Sequence, residues 1–344
     1  MDNNAMAFEH HKELYFSDGN VALIAPSHKK HKDLSETLIV FRLHQLMLAI
    51  HSPVFKDMFT FPATPDVELY EGVPLVRMTD NASDLEAFLG VIYRQPVLSI
   101  APLSPNTPLH VKPILVLADK YGVQYVRGPI IDQLERDWPQ SLFDWDCLEA
   151  EIESRRDVFN QHQASCELDD DYPEPGSAIE LARQCDIPSI LPAAFYHLSR
   201  IPINYDWDNI HASWDDPPDD YWVGRSARWD RLSKEDLLCL LQGRAKLDKY
   251  LDELCSMLYP EPHTQDSTCN PDIWYAFWES VWQECRRGKD ILAVLSPFSE
   301  MSGNFSKRWE KLCWSCRDKI TTKASKCRKE IWDRIPEFFQ LQQS

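Results

Sequence analysis

Cys313 and Cys316 stand three positions apart with two residues between them, and that spacing lets two thiolates grip one Zn²⁺ from a turn or a helix start. A tetrahedral site needs two further ligands. Cys269 and His263 lie in a polar, Pro-bounded loop and are the first candidates, with Cys255, Cys285 and Cys327 in reserve. Four protein ligands would leave no open position for water, so such a zinc would be structural. Two other readings stay open, buried thiols without metal and redox chemistry. Redox chemistry of the thioredoxin kind needs the motif at a strand–helix junction in a βαβ unit, and the surroundings of Cys313 read as helical.

Other chemistry-bearing clusters are less specific. Asp169, Asp170 and Asp171 precede Tyr172, Pro173, Glu174, Pro175 and Gly176, and Asp215, Asp216, Asp219 and Asp220 surround Pro217 and Pro218. Clustered carboxylates attract Ca²⁺, but neither spacing fits an EF-hand loop, which needs its Gly and terminal Glu at set positions. Both stretches read as solvated acidic loops, the first as a linker. His28, Lys29, Lys30, His31 and Lys32 read as a solvated loop rather than a metal or anion site. No GxGxxG, GxxxxGK[ST] or HExxH occurs, and no Ser/His/Asp order or carboxylate pair stands out. The chain therefore reads as a protein without enzymatic activity and without a resident cofactor beyond the zinc candidate.

Charge narrows the partners. The 344 residues carry a net charge of −18, which repels phosphate backbones and anionic lipid. The balance is uneven: residues 305–334 hold ten Lys and Arg against four Asp and Glu, a local +6 that leaves −24 for the rest. This run, with Trp309, Trp314 and Trp332 interleaved, admits three readings. It is a nucleic-acid contact, a surface that pairs with acidic segments of this chain or a partner, or a solvated helical face. Residues 1–13 have no apolar core of a signal peptide, and no apolar run approaches a membrane span. With ten cysteines, an intracellular, reducing setting follows, cytoplasmic or nuclear.

The elements that would position these groups begin with strands. Leu14, Tyr15 and Phe16 and then 21–25 flank Ser17-Asp18-Gly19-Asn20, which predicts a hairpin with Gly19 at positive φ. Residues 38–43 read as a third strand and 73–78 as a fourth. Between them, 45–50 form one or two helical turns, and Ser52-Pro53 restarts a helix with Ser as cap and Pro at its first position. Ser83 to Glu86 has capping-box spacing. A Pro-rich insert spans 95–111, Pro113 starts a helix that Gly122 ends, and 126–138 forms another. The fold class is α+β, a small sheet with helices around it, followed by a mainly helical remainder. There, helices are expected near 145–164, from Ser177, and from Ser233. In the last, Leu237, Leu240, Leu241, Leu247, Leu251, Leu254 and Leu258 read as a core face; a partner-binding helix would need an exposed stripe.

The segment Phe41-Arg42-Leu43-His44-Gln45-Leu46-Met47-Leu48-Ala49-Ile50-His51-Ser52-Pro53-Val54-Phe55 resembles the BTB/POZ signature, a strand ending in His that runs into a helical hairpin. Residues 76–93 resemble its strand-plus-helix block ending in Tyr, and Leu115-Val116-Leu117-Ala118-Asp119-Lys120-Tyr121 its "A-D-K-Y" helix. The resemblance implies homotypic or heterotypic protein association, with a cullin-type ubiquitin ligase adaptor or a transcription regulator as known roles. His44, Gln45, Leu48, Phe55, Met58, Phe59 and the preceding Asn20 would form the association surface. Many transcription-factor members carry an Asp and a basic residue where this chain has Asn20 and Gln45, so the charged pocket that recruits co-repressors is not expected. Residues 177–183 and 188–196, Leu312-Cys313-Trp314-Ser315-Cys316, and 331–339 are similar to the downstream region of a group of BTB proteins from mushroom-forming fungi.

The organisation expected is a tail at 1–12, a BTB domain at 13–140, a helical region at 141–260 and a Cys- and Trp-rich helical region at 261–344. The partners expected are the chain itself, another BTB protein or a cullin. A homodimer fits this reading; membrane and nucleic acid do not. The alternative is transcription or chromatin regulation through the basic C-terminal segment.

Overall fold

The structure is a computed structural model. It describes residues 7–27, 37–61, 67–94, 101–162, 172–212, 225–257, 270–287, 290–296 and 309–341, without the side chains of 156–162, 254–257 and 284–287. The chain divides into two compact units, Met1–Arg136 and Asp137–Ser344.

The first unit is built on a sheet of β1 (Ala7–Tyr15), β2 (Val21–Ser27), β3 (Thr37–Leu43), β4 (Leu69–Tyr70) and β5 (Val73–Arg77), in spatial order β1-β3-β2-β5-β4. β1 starts at Ala7, so residues 7–12 of the stretch assigned to a tail are strand. The expected hairpin between the first two strands does not form. β1 pairs parallel to β3, and β3 separates it from β2. The turn instead carries the chain across the end of β3, where Phe16 N–H donates to the Arg42 carbonyl at 2.9 Å and Asn20 N–H to the Leu43 carbonyl at 2.8 Å. Gly19 is there for space rather than for a positive φ: a Cβ would stand 2.9 Å from both Arg42 Cγ and the Leu43 carbonyl oxygen.

β2 reads Val-Ala-Leu-Ile-Ala and is buried on both faces, as a strand covered on two sides must be. On one face Ala22 and Ile24 join Leu38 and Val40 under Tyr15, Tyr70, Val73 and Leu75. The sheet curls until its outer strands meet over this core. His10 Nε2 lies 2.8 Å from the Tyr70 hydroxyl, and the Tyr15 hydroxyl donates to Glu71 at 2.6 Å. Burial raises the pKa of both tyrosines, with Glu71 adding to it.

Helices α1 (Gln45–His51), α2 (Pro53–Thr60), α3 (Ala82–Arg94), α4 (Thr107–Tyr121) and α5 (Arg127–Asp137) complete the unit. Ser52 caps α2 as its sequence predicts, accepting Phe55 N–H at 3.1 Å with Pro53 behind it. Gly122 closes α4 at φ 70°, a left-handed conformation that suits Gly. Two expectations change. The cap of α3 is Asn81, whose Oδ1 accepts Ser83 N–H at 2.8 Å, so Ser83 is already helical. α4 starts at Thr107 with Pro108 near its first position, and Pro113 lies inside the helix.

The second unit contains, among the described residues, α6 (Leu142–His162), α7 (Pro175–Gln184), α8 (Leu191–Arg200), α9 (Trp207–Ala212), α10 (Lys234–Met257), α11 (Pro271–Arg287), α12 (Ile291–Val294) and α13 (Trp314–Phe338). It is mostly helical. α8 is buried from Ala193 to Ser199, and α7, α10 and α13 pack around it. The acidic linker is only partly what its composition suggests. Glu174 is buried and caps α7, accepting Gly176 N–H at 2.6 Å and Ser177 N–H at 2.8 Å while pairing with Arg228. Gly176 admits no side chain because the Arg228 carbonyl presses on it. Residues 169–171 and the second acidic stretch, 214–220, lie outside the described residues.

α10 also departs from expectation. Ser233 caps it as predicted, accepting Asp236 N–H at 3.0 Å. Its core face is Asp236, Leu240, Gly243, Leu247, Tyr250 and Leu251; Leu237 is half-buried and Leu241 faces outward. On that inward face the aromatic ring of Phe339 fills the place of a Gly243 side chain.

Candidate protein-interaction site

The end of β3 gathers several of the predicted residues. His44 N–H donates to the Tyr93 hydroxyl at 2.8 Å, and its Nε2 lies 3.3 Å from Asp18. Phe16 and Tyr93 stack at 5.2 Å beside the His44 ring. Burial raises the Tyr93 pKa, and the bond from the His44 N–H works against that rise. Asn20 and Gln45 meet directly. Asn20 Oδ1 accepts Gln45 N–H at 2.8 Å, and Gln45 Nε2 donates to the Asn20 carbonyl at 3.3 Å. Asn20 thus caps α1 from the turn before β2, a role that lies 25 residues away in sequence and leaves no local signal.

The helical hairpin that follows separates the remaining candidates. Leu48 and Phe55 are fully buried, and Phe55 stacks on Tyr121 at 4.7 Å. They are core residues and not part of a contact surface, because α1 and α2 turn these positions toward α3 and α4. Met58 and Phe59 are half-buried, with Phe59 stacked on Phe55 at 6.1 Å. The helical period puts other apolar side chains outside: Leu46 at 70%, Ile50 at 65% and Val54 at 43% exposure. Sequence reasoning missed these three. The signal was present, since Leu46 and Ile50 are four apart and two positions off Leu48.

Residues 35–136 match the BTB/POZ domain model. The N-terminal unit therefore carries a BTB domain, a small sheet with surrounding helices, and the mostly helical region follows it. No curated protein matches the chain. Across the BTB domain, the Asn20–Gln45 contact is neutral, and the carboxylate beside it comes from Asp18.

In the helical region, Cys313 caps α13 and Cys316 lies buried three residues on, consistent with a motif at a helix start. Cys269 and His263 lie outside the described residues, as do the side chains of Cys255 and Cys285. Cys327 is buried further along the same helix, and burial pushes its thiol pKa up. Among the described residues no group of three or more His, Cys, Asp or Glu is placed to hold a metal. The arginines of the basic run among the described residues make internal contacts. Arg328 is buried on Asp146 at 2.5 Å, Arg317 donates to the Leu312 and Glu310 carbonyls, and Arg334 pairs with Glu337.

Sequence reasoning also missed a buried charge cluster. Glu149 on α6 lies between Arg200 on α8 and Arg225, with N–O distances of 2.9 and 3.0 Å. Burial pushes the Glu149 carboxyl up, and the two guanidinium groups reverse this and hold it well below the usual carboxylate range. His197 Nδ1 faces Arg200 at 2.7 Å and Arg225 at 3.1 Å. Guanidinium only donates, so Nδ1 must accept and the ring is neutral. Burial first, and the two arginines next, press the His197 pKa well below its ordinary value. Asp290 also pairs with Arg200 and accepts the Tyr196 hydroxyl at 3.0 Å. Two cations meet two anions here, an arrangement that ties α6, α8 and α12 together and leaves His197 a poor base.

Proposed function

We propose that this chain is a protein-association module, with the BTB domain binding a second BTB domain, of the same or another chain, through the outer face of α1 and α2. The exposed Leu46 and Ile50, one turn apart on α1, carry this reading together with the exposed Val54 at the start of α2, because grouped apolar side chains at a surface mark association sites. Asn20, His44 and Gln45 would border that face. The neutral Asn20–Gln45 contact supports an adaptor role, in which a cullin-type ubiquitin ligase is one partner and the helical region holds the other, over co-repressor recruitment. Regulation of transcription through the basic segment is the weaker reading, since Arg317, Arg328 and Arg334 are spent on internal contacts. The motifs at 312–316 and 331–339 support grouping with the fungal BTB proteins, and an intracellular setting fits all of these roles. Among the described residues no helix is long and apolar enough to cross a membrane.

Sedimentation equilibrium of the full chain tests the reading. The expected outcome is a concentration-dependent dimer that Ile50→Asp weakens on the order of a hundredfold, since a buried charge at such a contact costs a few kcal/mol. A chain that stays monomeric and binds no purified cullin N-terminal domain would overturn it.

A further inference from the structure

Helix α10 carries a short apolar stripe opposite its buried face. The buried face is that of Leu240, Gly243, Leu247 and Tyr250. Along the stripe, Leu238, Leu241 and Ala245 follow at steps of three and four residues, with Leu238 46% and Leu241 60% exposed. A surface helix ordinarily carries charged or polar side chains opposite its core face. The three-and-four spacing is that of the seam between two paired helices. We propose that this stripe pairs with the same stripe of a second copy of the chain, the two helices running antiparallel.

Charge decides the partner and the direction. With Leu238 and Ala245 at a positions and Leu241 at d, the flanking e positions are Glu235, Gln242 and Lys249. Antiparallel pairing sets e against e, so Glu235 meets the partner's Lys249, twice by symmetry, and Gln242 sits at the centre, where Gln340 already holds it. Lys249 is free to reach across: its side chain is 79% exposed and its contact with Glu253 is a loose 3.9 Å. At the ends Lys234 falls opposite the partner's Asp252, again with opposite charge. A parallel pair would instead stack Lys234 on Lys234 and Asp252 on Asp252, and repulsion excludes it. Leu241 packs on the partner's Ala245. Leu238 faces the partner's Asp248, which confines the apolar layers to the centre and makes the pairing weak and salt-sensitive.

The surface is separate from the one on α1 and α2, so the test is made in the full chain carrying Ile50→Asp, which removes the latter. Sedimentation equilibrium should still detect self-association in this background. Leu241→Glu should weaken it on the order of tenfold or more without changing the far-ultraviolet circular dichroism, because Leu241 points away from the core. Glu235→Lys and Lys249→Glu should each weaken it, and the two together should restore it. A chain that is monomeric once Ile50 is replaced, a Leu241→Glu chain that associates as before, or a charge-swapped pair that fails to recover would each overturn the proposal. Dimerisation of the chain with native Ile50 reports on the α1–α2 surface separately.

Discussion

The hydroxyl of Ser52 donates to the carbonyl of Tyr121 at 2.6 Å, joining the start of α2 to the end of α4 across 69 residues. The same oxygen accepts Phe55 N–H, so one side chain caps a helix and ties down the last turn of another. Ser52→Ala removes both bonds inside the core. The expected loss is about 2 kcal/mol of BTB-domain stability. Hydrogen-exchange mass spectrometry on peptides covering residues 45–61 measures it. Unchanged protection there would show that the bonds contribute nothing net.

Two glycines of the BTB domain should respond oppositely to Ala. Gly122 sits at φ 70°, and a Cβ there would stand 2.8 Å from Pro53 Cγ. Gly122→Ala should therefore destabilise by about 2 kcal/mol, from strain and contact together. Gly90 lies within α3 with nothing near its absent side chain, so Gly90→Ala should stabilise by about 0.5–1 kcal/mol. Urea midpoints of the two variants should shift in opposite directions.

All 12 tryptophans lie beyond residue 136, so Trp fluorescence reports unfolding of the helical unit alone. Glu149→Ala would leave the guanidinium groups of Arg200 and Arg225 buried with Asp290 as their remaining carboxylate. A loss of about 3–5 kcal/mol is expected, as for other broken buried pairs. The fluorescence midpoint should fall while BTB-domain exchange is unaffected.

His197 makes the helical unit sensitive to acid. Its pKa is depressed in the folded state, so below the ordinary 6.5 the unfolded chain binds a proton that the native one does not. The stabilisation is therefore complete above pH 6.5 and is lost as pH falls through this window, by up to about 1.4 kcal/mol per pH unit. Glu149, also depressed, adds a second loss below its ordinary 4.5. Urea unfolding followed by Trp fluorescence at pH 7.5 and 5.5 should show the first slope, and His197→Asn should flatten it. The two pH values bracket about 6.5, where the imidazole titrates in the unfolded chain.

Much of this protein can be read from its chain because many of its signals are local. The caps Ser52 and Ser233 bond to groups three residues away, and Gly122 answers a backbone angle at its own position. Such bonds join near neighbours in the chain, so the residue types that make them mark element ends, and element order, the α+β class and the BTB signature follow from sequence. Which side of an element faces inward is another matter. Leu48 and Leu46 are chemically alike, as are Leu240 and Leu241, and only the neighbours that arrive from elsewhere bury one and expose the other. The pairing of β1 with β3, the Asn20 cap on α1 and the meeting of Glu149 with Arg200 and Arg225 join positions far apart in the chain. Charges and hydrogen bonds of that kind gain their strength only where tertiary packing has removed water, so the tertiary structure alone decided them.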